Sequence, residues 1–237
     1  MKELSDRIKP KEFKEWNEEM VKKYDPDTFH HHHNPFIRFI ESRRVRVILS
    51  FLNDHFKGSR ILEVGCGAGN IIDKVVSGDL FGVDISAFIL HKAKLKLHNR
   101  VNLFQADAQH LPFKNQTFNH IICSEVLEHV LDPLSCLQEM GRILDDQGVV
   151  IISVPNEFYI NRIKRILIRL GIFDRLFRRQ EGYEEMPERM EDEWHLHAFS
   201  LKEWQDLLKH SFKVVTIKKI PFFGLPLRYV IRLEKYL

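Results

Sequence analysis

The run Glu63-Val64-Gly65-Cys66-Gly67-Ala68-Gly69 sets three glycines at alternate positions directly after a short apolar stretch. A turn this tight between a strand and a helix needs glycine for backbone freedom, and it lets a ligand approach the main chain closely. At the carboxyl end of a first strand it lies where open α/β sheets bind ligands. Dinucleotide sites use G-x-G-x-x-G to seat a pyrophosphate on a helix N-terminus. Here the glycines run G-x-G-x-G, and the Glu63 carboxylate ahead of them is a poor neighbour for a diphosphate. A nicotinamide-dependent oxidoreductase is therefore disfavoured. Asp84 stands 19 residues after Gly65 and ends a second apolar stretch. An acid at that place accepts from both hydroxyls of a ribose. Asp107, followed by Ala108, ends a third stretch, where an acid accepts from an adenine amino group.

A second set of residues has proton or metal chemistry. His129, inside Ser124-Glu125-Val126-Leu127-Glu128-His129-Val130, is the first candidate for a general base, the other reading being a histidine that orients the loop. Glu125 and Glu128 are candidates for holding a cation. His195 and His197 alternate, so an extended backbone turns both to one side, toward an acceptor, a metal or the protein interior. Two ligands alone rarely make a metal site, and no resident metal is expected. The run His30 to His33 reads as a solvated turn ahead of Pro35, because adjacent residues point in different directions. Cys66, Cys123 and Cys136 read as packing residues.

The elements that would position these groups alternate along the chain. Arg60–Val64, LFGVDIS, VNLFQADA, FNHIICSEV and GVVIISVPN read as strands, the last apolar on both faces as a buried parallel strand is. IIDKVVSG, AFILHKAKLKL and DPLSCLQEMGRIL read as helices between them. Asp132 is the expected N-cap of the third, with Pro133 at its first position. Such alternation means a doubly wound α/β sheet. Ahead of it, residues 1–55 form an expected helical cap, with a helix from Phe36 to about Asn53 carrying Arg38, Arg43, Arg44 and Arg46. Residues 56–157 are the expected core and 158–199 an inserted lid. Residues 200–237 return as a helix with a Ser200/Glu203 capping box and two closing strands. In the lid, Ile160, Ile163, Ile166, Leu167 and Leu170 share a helical face opposite Arg162, Arg165 and Arg169. This basic amphipathic helix either covers an apolar substrate or lies on an anionic membrane. The acidic residues 184–193 are candidates to pair with it.

Composition narrows the setting. The chain has 237 residues, 44% of them hydrophobic, with 36 Lys+Arg against 33 Asp+Glu. It is too apolar to be a disordered tail and too evenly charged for a general nucleic-acid binder. Three scattered cysteines fit a reducing compartment. Without a secretory signal or an apolar run of about 20 residues, a cytoplasmic protein is expected, with membrane contact at most peripheral.

Taken in order, LEVGCGAG, GVDIS, QADAQHLPF, FNHIICSEVLEHVLDP and GVVIISVPN resemble the class I S-adenosylmethionine-dependent methyltransferases, over residues 58–156. The resemblance implies a Rossmann-like seven-stranded sheet in the order 3-2-1-4-5-7-6 and S-adenosylmethionine as cofactor. It implies that Glu63, Gly65, Cys66, Gly67 and Gly69 line the methionine end. By the same resemblance Asp84 and Ile85 take the ribose and adenine, Asp107 and Ala108 take the adenine ring, and Ser124 and Glu125 lie near the sulfonium and acceptor. The stretches His32-x-Asn34-Pro35 with Arg38, and Cys123 to Pro133, are similar to the ubiquinone-biosynthesis-type O-methyltransferases. That similarity implies that Arg38 pairs with the cofactor's carboxylate. The expected activity is methyl transfer, by O-methylation, to a small apolar, lipid- or quinone-like acceptor. The alternative is a protein that binds the cofactor without catalysis.

Overall fold

The computed structural model describes residues 8–30, 32, 34–52, 58–173 and 194–236. Two histidines of the His30–His33 run (His31 and His33) and the acidic residues 184–193 lie outside the described residues. Seven strands form one sheet in the order β3-β2-β1-β4-β5-β7-β6. β1 (Arg60–Val64), β2 (Asp79–Asp84), β3 (Val101–Gln105), β4 (Phe118–Ser124) and β5 (Leu144–Pro155) are parallel to their neighbours in that set. β7 (Leu225–Glu234) runs antiparallel to β5, and β6 (Lys213–Phe222) pairs antiparallel with β7. The order reverses at β1, so a crevice opens at the carboxyl ends of β1 and β4, where α/β folds place ligands.

The central strands are apolar on both faces because both faces are covered. One core joins Leu62, Phe118, Ile121 and Ile152 to α5 (Pro133–Ile143) and to α7 (Leu201–Leu208) through Trp204. The other joins Ile61, Ile122, Ile151 and Val230 to Ile40 and Ile48 of α3 (Pro35–Phe51) and Ala93 of α4 (Ala87–Leu97). Local signals set the helix ends. Asn34 caps α3, Ser86 caps α4, Asp132 caps α5 with Pro133 behind it, and Ser200 and Glu203 form the expected reciprocal box on α7. These contacts satisfy amides that have no partner inside the helix.

One expected element is absent. IIDKVVSG holds only a 3-10 turn, Ile72–Lys74. The Ile72 amide donates to Glu63 Oε2 at 2.9 Å. The adjacent valines 75 and 76 and Gly78 then favour extended chain over a second helical turn. The closing strands also run further than expected, leaving only Phe223 and Gly224 between them.

The N-terminal helices α1 (Phe13–Lys23) and α2 (Asp27–His30) lie against the glycine turn. Glu18 Oε1 accepts from the Phe88 amide at 3.1 Å, and Asn70 Nδ2 donates to Asp27 Oδ1 at 2.7 Å. Tyr24 stacks on Trp194 with ring centroids 5.6 Å apart. α6 (Glu157–Arg169) follows β5 directly. Asn156 caps it, and its Nδ2 donates to the Pro226 carbonyl and the Tyr229 hydroxyl, both at 2.7 Å. That one side chain ties the start of α6 to β7.

Candidate active site

A cavity of about 710 Å³ opens above the carboxyl ends of β1, β2 and β4. Its first half is built around the glycine turn. Gly65, Gly67 and Gly69 all have positive φ, at 66°, 51° and 77°. A Cβ on Gly65 would stand 2.2 Å from Val126, and one on Gly69 2.4 Å from Leu97. Positive φ and close packing together leave no residue but glycine at those two places. The turn is tied to the second strand, because the Gly67 amide donates to Asp84 Oδ2 at 2.9 Å and the Ser86 amide to Asp84 Oδ1 at 3.0 Å. Burial raises the Asp84 carboxyl, and those amides only partly offset it. Each of its oxygens keeps a lone pair for a hydroxyl. Asp107 is held by the Gln109 amide at 2.9 Å, and Ile85, Asp107 and Ala108 line the cavity.

Glu63 lies at the bottom of this half, fully enclosed. Burial lifts its carboxyl to about 8, against the pull of the Ile72 amide. A buried acid of this kind is stabilised as an anion by an ammonium group beside it. Cys66 also lines the cavity, and burial pushes its thiol well up, so it is a packing atom and not a nucleophile.

At the centre, two arginines and two glutamates alternate. Arg44 Nη2 lies 2.5 Å from Glu41 Oε2, Arg228 Nη2 3.3 Å from Glu41 Oε1, and Arg228 Nε 2.8 Å from Glu125 Oε2. Arg44 Nη1 donates to the Ser124 hydroxyl and, at 3.2 Å, to Ser153 Oγ. Ser153 Oγ in turn donates to Glu125 Oε1 at 2.8 Å. Burial alone pulls the Arg228 guanidinium down, and the Glu125 and Glu41 carboxylates more than reverse it. Glu125 joins this group from a backbone with φ of 56°, in the left-handed region.

On the far wall, His195 Nδ1 lies 2.6 Å from Glu157 Oε1. Burial pushes the Glu157 carboxyl up, but the hydrogen bond and charge of His195 outweigh that and hold it below its ordinary value. His129 packs on Trp194 and on His195, with ring centroids 4.4 and 4.8 Å away. Burial, then His195, lowers His129 well below the usual imidazole range. Burial and the neighbouring Glu125 raise Glu128 well above the usual carboxylate range. One donor atom from each of Glu128, His129 and His195 lies within 4.8 Å of the others, close enough to share a cation.

Of the sequence candidates, Glu63, Gly65, Cys66, Gly67, Asp84, Ile85, Asp107, Ala108, Ser124, Glu125, His129 and His195 all line this one cavity. Gly69, Arg38 and His197 are not among its lining residues. Gly69 packs on Leu97. Arg38 Nη1 donates to the His32 carbonyl at 2.8 Å. His197 Nε2 meets the Val130 carbonyl at 2.8 Å, so the two alternating histidines part ways, because the chain there is irregular and not a strand. Sequence reasoning did not single out Glu41, Ser153, Glu157, Trp194 or Arg228, and it passed over Arg44 as one helix arginine among several. The only signal was the Glu41/Arg44 spacing of i, i+3, common on exposed helix faces.

The second half of the cavity is apolar. Phe36, Ile37 and Ile40 of α3, Ile160, Ile163 and Leu167 of α6, and Leu225 and Leu227 of β7 form its walls. The expected helical face is divided. Ile160, Ile163 and Leu167 turn inward, while Ile166 and Leu170 are exposed along with Arg162, Arg165 and Arg169.

Residues 62–152 match the family described as methyltransferase domain. The chain is 30% identical to a demethylmenaquinone methyltransferase from Staphylococcus haemolyticus over 54% of this chain and 59% of that protein. It is 30% identical to a ubiquinone biosynthesis O-methyltransferase from Aliivibrio fischeri over 49% of this chain and 52% of that protein. It thus spans little more than half the length of these relatives. The crystal structure of the N-methyltransferase NodS from Bradyrhizobium japonicum, in complex with S-adenosyl-L-homocysteine, superposes with a TM-score of 0.65 at 15% identity, covering 93% of this chain and 98% of that one. The matched stretch spans β1 to β5, so residues 62–152 are similar to a methyltransferase domain, and the chain shares the fold of the solved N-methyltransferase.

Proposed function

We propose that the protein transfers a methyl group from S-adenosylmethionine to the oxygen of a small, largely apolar acceptor of the lipid or quinone-precursor class. The observation that carries this is the single cavity with two unlike halves. One half has strand-end acids, a glycine turn and a buried carboxyl, which suit a ribose, an adenine and an amino-acid ammonium. The other is walled by aliphatic and aromatic side chains. The names of the two quinone-pathway relatives support the acceptor class.

Bound S-adenosylmethionine supplies an electrophilic methyl group on a sulfonium. The protein's own residues do the rest. Asp84 and Asp107 orient the nucleoside end, and Glu63 the ammonium end. The Arg44–Glu41–Arg228–Glu125 cluster forms a rigid, nearly neutral wall beside the reacting centre, with Ser124 on it. α6 covers the acceptor and excludes water. His195 is the general base. With Glu157 ionised, Nδ1 carries a proton and donates it to the carboxylate, which leaves the lone pair on Nε2. No described residue hydrogen-bonds Nε2. It takes the acceptor's hydroxyl proton as the oxygen–methyl bond forms and the sulfur–methyl bond breaks. His129, buried and neutral, packs against His195 and positions it. We also propose that the outer side of residues 158–173 touches a membrane.

The experiment has two stages. Thermal stabilisation by S-adenosylmethionine and S-adenosylhomocysteine, but not by NADH, tests the cofactor half. Transfer of radiolabelled methyl to alkylated catechols and hydroquinones, set against small polar amines, tests the acceptor half. Labelling of the amines alone would overturn the acceptor class.

A further inference from the structure

We propose that the face around the apolar end of the cavity docks on an anionic phospholipid bilayer, with the tip of the β6–β7 hairpin as its main anchor. This deepens the membrane contact suggested for α6, and it does not depend on which acceptor is methylated. The first observation is a cluster of exposed aromatics. Phe222 and Phe223 at the hairpin tip are 54% and 82% exposed, and Phe36 and Phe39 at the start of α3 are 47% and 43% exposed. Phe39 and Phe222 touch, with ring centroids 5.8 Å apart. Single exposed apolar side chains are ordinary, but adjoining ones mark a surface that meets something apolar.

The second observation is continuity. Ile40 of α3, Ile220 and Leu227 of the hairpin, and Tyr159 and Ile163 of α6 belong to one core cluster. The three segments are therefore neighbours, and their inner sides wall the acceptor end of the cavity. On the outer side of α6, Phe158, Ile166 and Leu170 are exposed.

The third observation is charge. Within residues 35–51, 157–173 and 213–230 the only acidic residues are Glu41 and Glu157, and both are buried. Arg38, Arg162, Arg165, Arg169 and Lys218 are exposed in the same segments. Lys219 Nζ stands 4.3 Å from the centre of the Phe223 ring. An aromatic tip with an ammonium group over it suits the headgroup boundary, with the ring in the acyl region and the amine among phosphates. A surface with exposed cations and no exposed acid, in these segments, is complementary to anionic lipid. No described helix is long and apolar enough to cross a membrane, so α6 would lie along the surface.

The test is co-sedimentation of the full chain with phosphatidylcholine vesicles, with and without about one-third phosphatidylglycerol. Binding to the anionic vesicles at low salt, weakened at about 0.5 M salt, is expected. Phe222→Ser with Phe223→Ser should lower the partition coefficient at least tenfold. Arg162→Gln with Arg165→Gln should flatten the salt dependence. Both variants should keep the wild-type thermal shift with S-adenosylhomocysteine, which reports folding and the cofactor site separately from docking. Absence of wild-type binding at low salt overturns the proposal, and so does wild-type binding by the double-phenylalanine variant. If the chain ignores vesicles but forms a dimer that this variant breaks, the face is a protein interface and the proposal is likewise overturned.

Discussion

His195 Nδ1 meets the Glu157 carboxylate at 2.6 Å across 38 residues of chain, and this contact determines which imidazole nitrogen is left for the cavity. Glu157 is the first residue of α6, so His195 and that helix are positioned together. His195→Ala should lower kcat between about a hundredfold and ten-thousandfold, the range for loss of a general base. Glu157→Gln should lower it less, because the imidazole keeps a polar neighbour but loses the carboxylate that fixes its orientation and tautomer. Steady-state kinetics with an acceptor found by the methyl-transfer screen, alongside unchanged S-adenosylhomocysteine binding, check both. Unaltered kcat in His195→Ala would remove the base from this position.

Glu63 gives a pH signature to cofactor binding. Its carboxyl is raised to about 8 by burial, so at pH 7 it is mostly protonated in the free protein. A ligand ammonium beside it favours the anion, so binding should release a proton, and affinity should rise from about pH 6 to pH 8 and then level off. Calorimetry in two buffers of different ionisation enthalpy measures the proton directly. No release would mean the ammonium sits elsewhere.

The same group affects stability in the opposite sense. Its folded value lies above the ordinary 4.5, so the free protein should lose stability as pH rises from 4.5 toward 8. Glu63→Gln should remove that part of the slope while weakening cofactor binding. Urea titrations at three pH values across the window compare the two chains.

Asp84 holds the Gly67 and Ser86 amides as well as facing the cavity. Asp84→Asn keeps one acceptor oxygen but loses charge-assisted bonds worth about 1.5–3 kcal/mol each. Affinity for S-adenosylhomocysteine should fall about tenfold to a hundredfold by calorimetry. Wild-type affinity in the variant would dismiss the ribose role.

The buried cluster should behave as a unit. Arg44→Met leaves Glu41 without its closest cation and should destabilise the protein by about 3–5 kcal/mol. Adding Glu41→Leu should recover part of that loss, because the stranded charge goes too. Equilibrium unfolding of the single and double variants gives the coupling, and strictly additive effects would show that the four charges do not share a field.

Much of this molecule is legible along the chain because its signals are local. β5 runs Val-Val-Ile-Ile-Ser-Val because both its faces are covered, and the glycine turn follows β1 because the backbone there has positive φ. Asp84 and Asp107 mark strand ends in a fold whose ligands gather at strand ends. Asp132, Ser200 and Glu203 cap helices through bonds that span two or three residues. Local signals also have limits. Residues 71–78 have a helical pattern, yet the stretch stops after one 3-10 turn, where Val75, Val76 and Gly78 favour extended chain.

What only the tertiary structure decided is the set of groups that must be carried together from distant places. Arg228 reaches Glu125 across 103 residues, and Arg44 reaches Ser153 across 109. No spacing along the chain encodes those distances. Whether Arg38 or Arg44 turns inward depends on how α3 is rotated against β5 and β7, and one helical position shifts a side chain by about 100°. His195 and His197 alternate in sequence, yet one joins Glu157 at the cavity and the other the Val130 carbonyl, because the Leu196 and His197 amides both donate to the Glu128 carbonyl and hold the chain out of strand geometry. The glycine-turn half of the cavity is written in residues close in sequence. Its apolar half depends on the meeting of α3, α6 and β7, which only folding brings together.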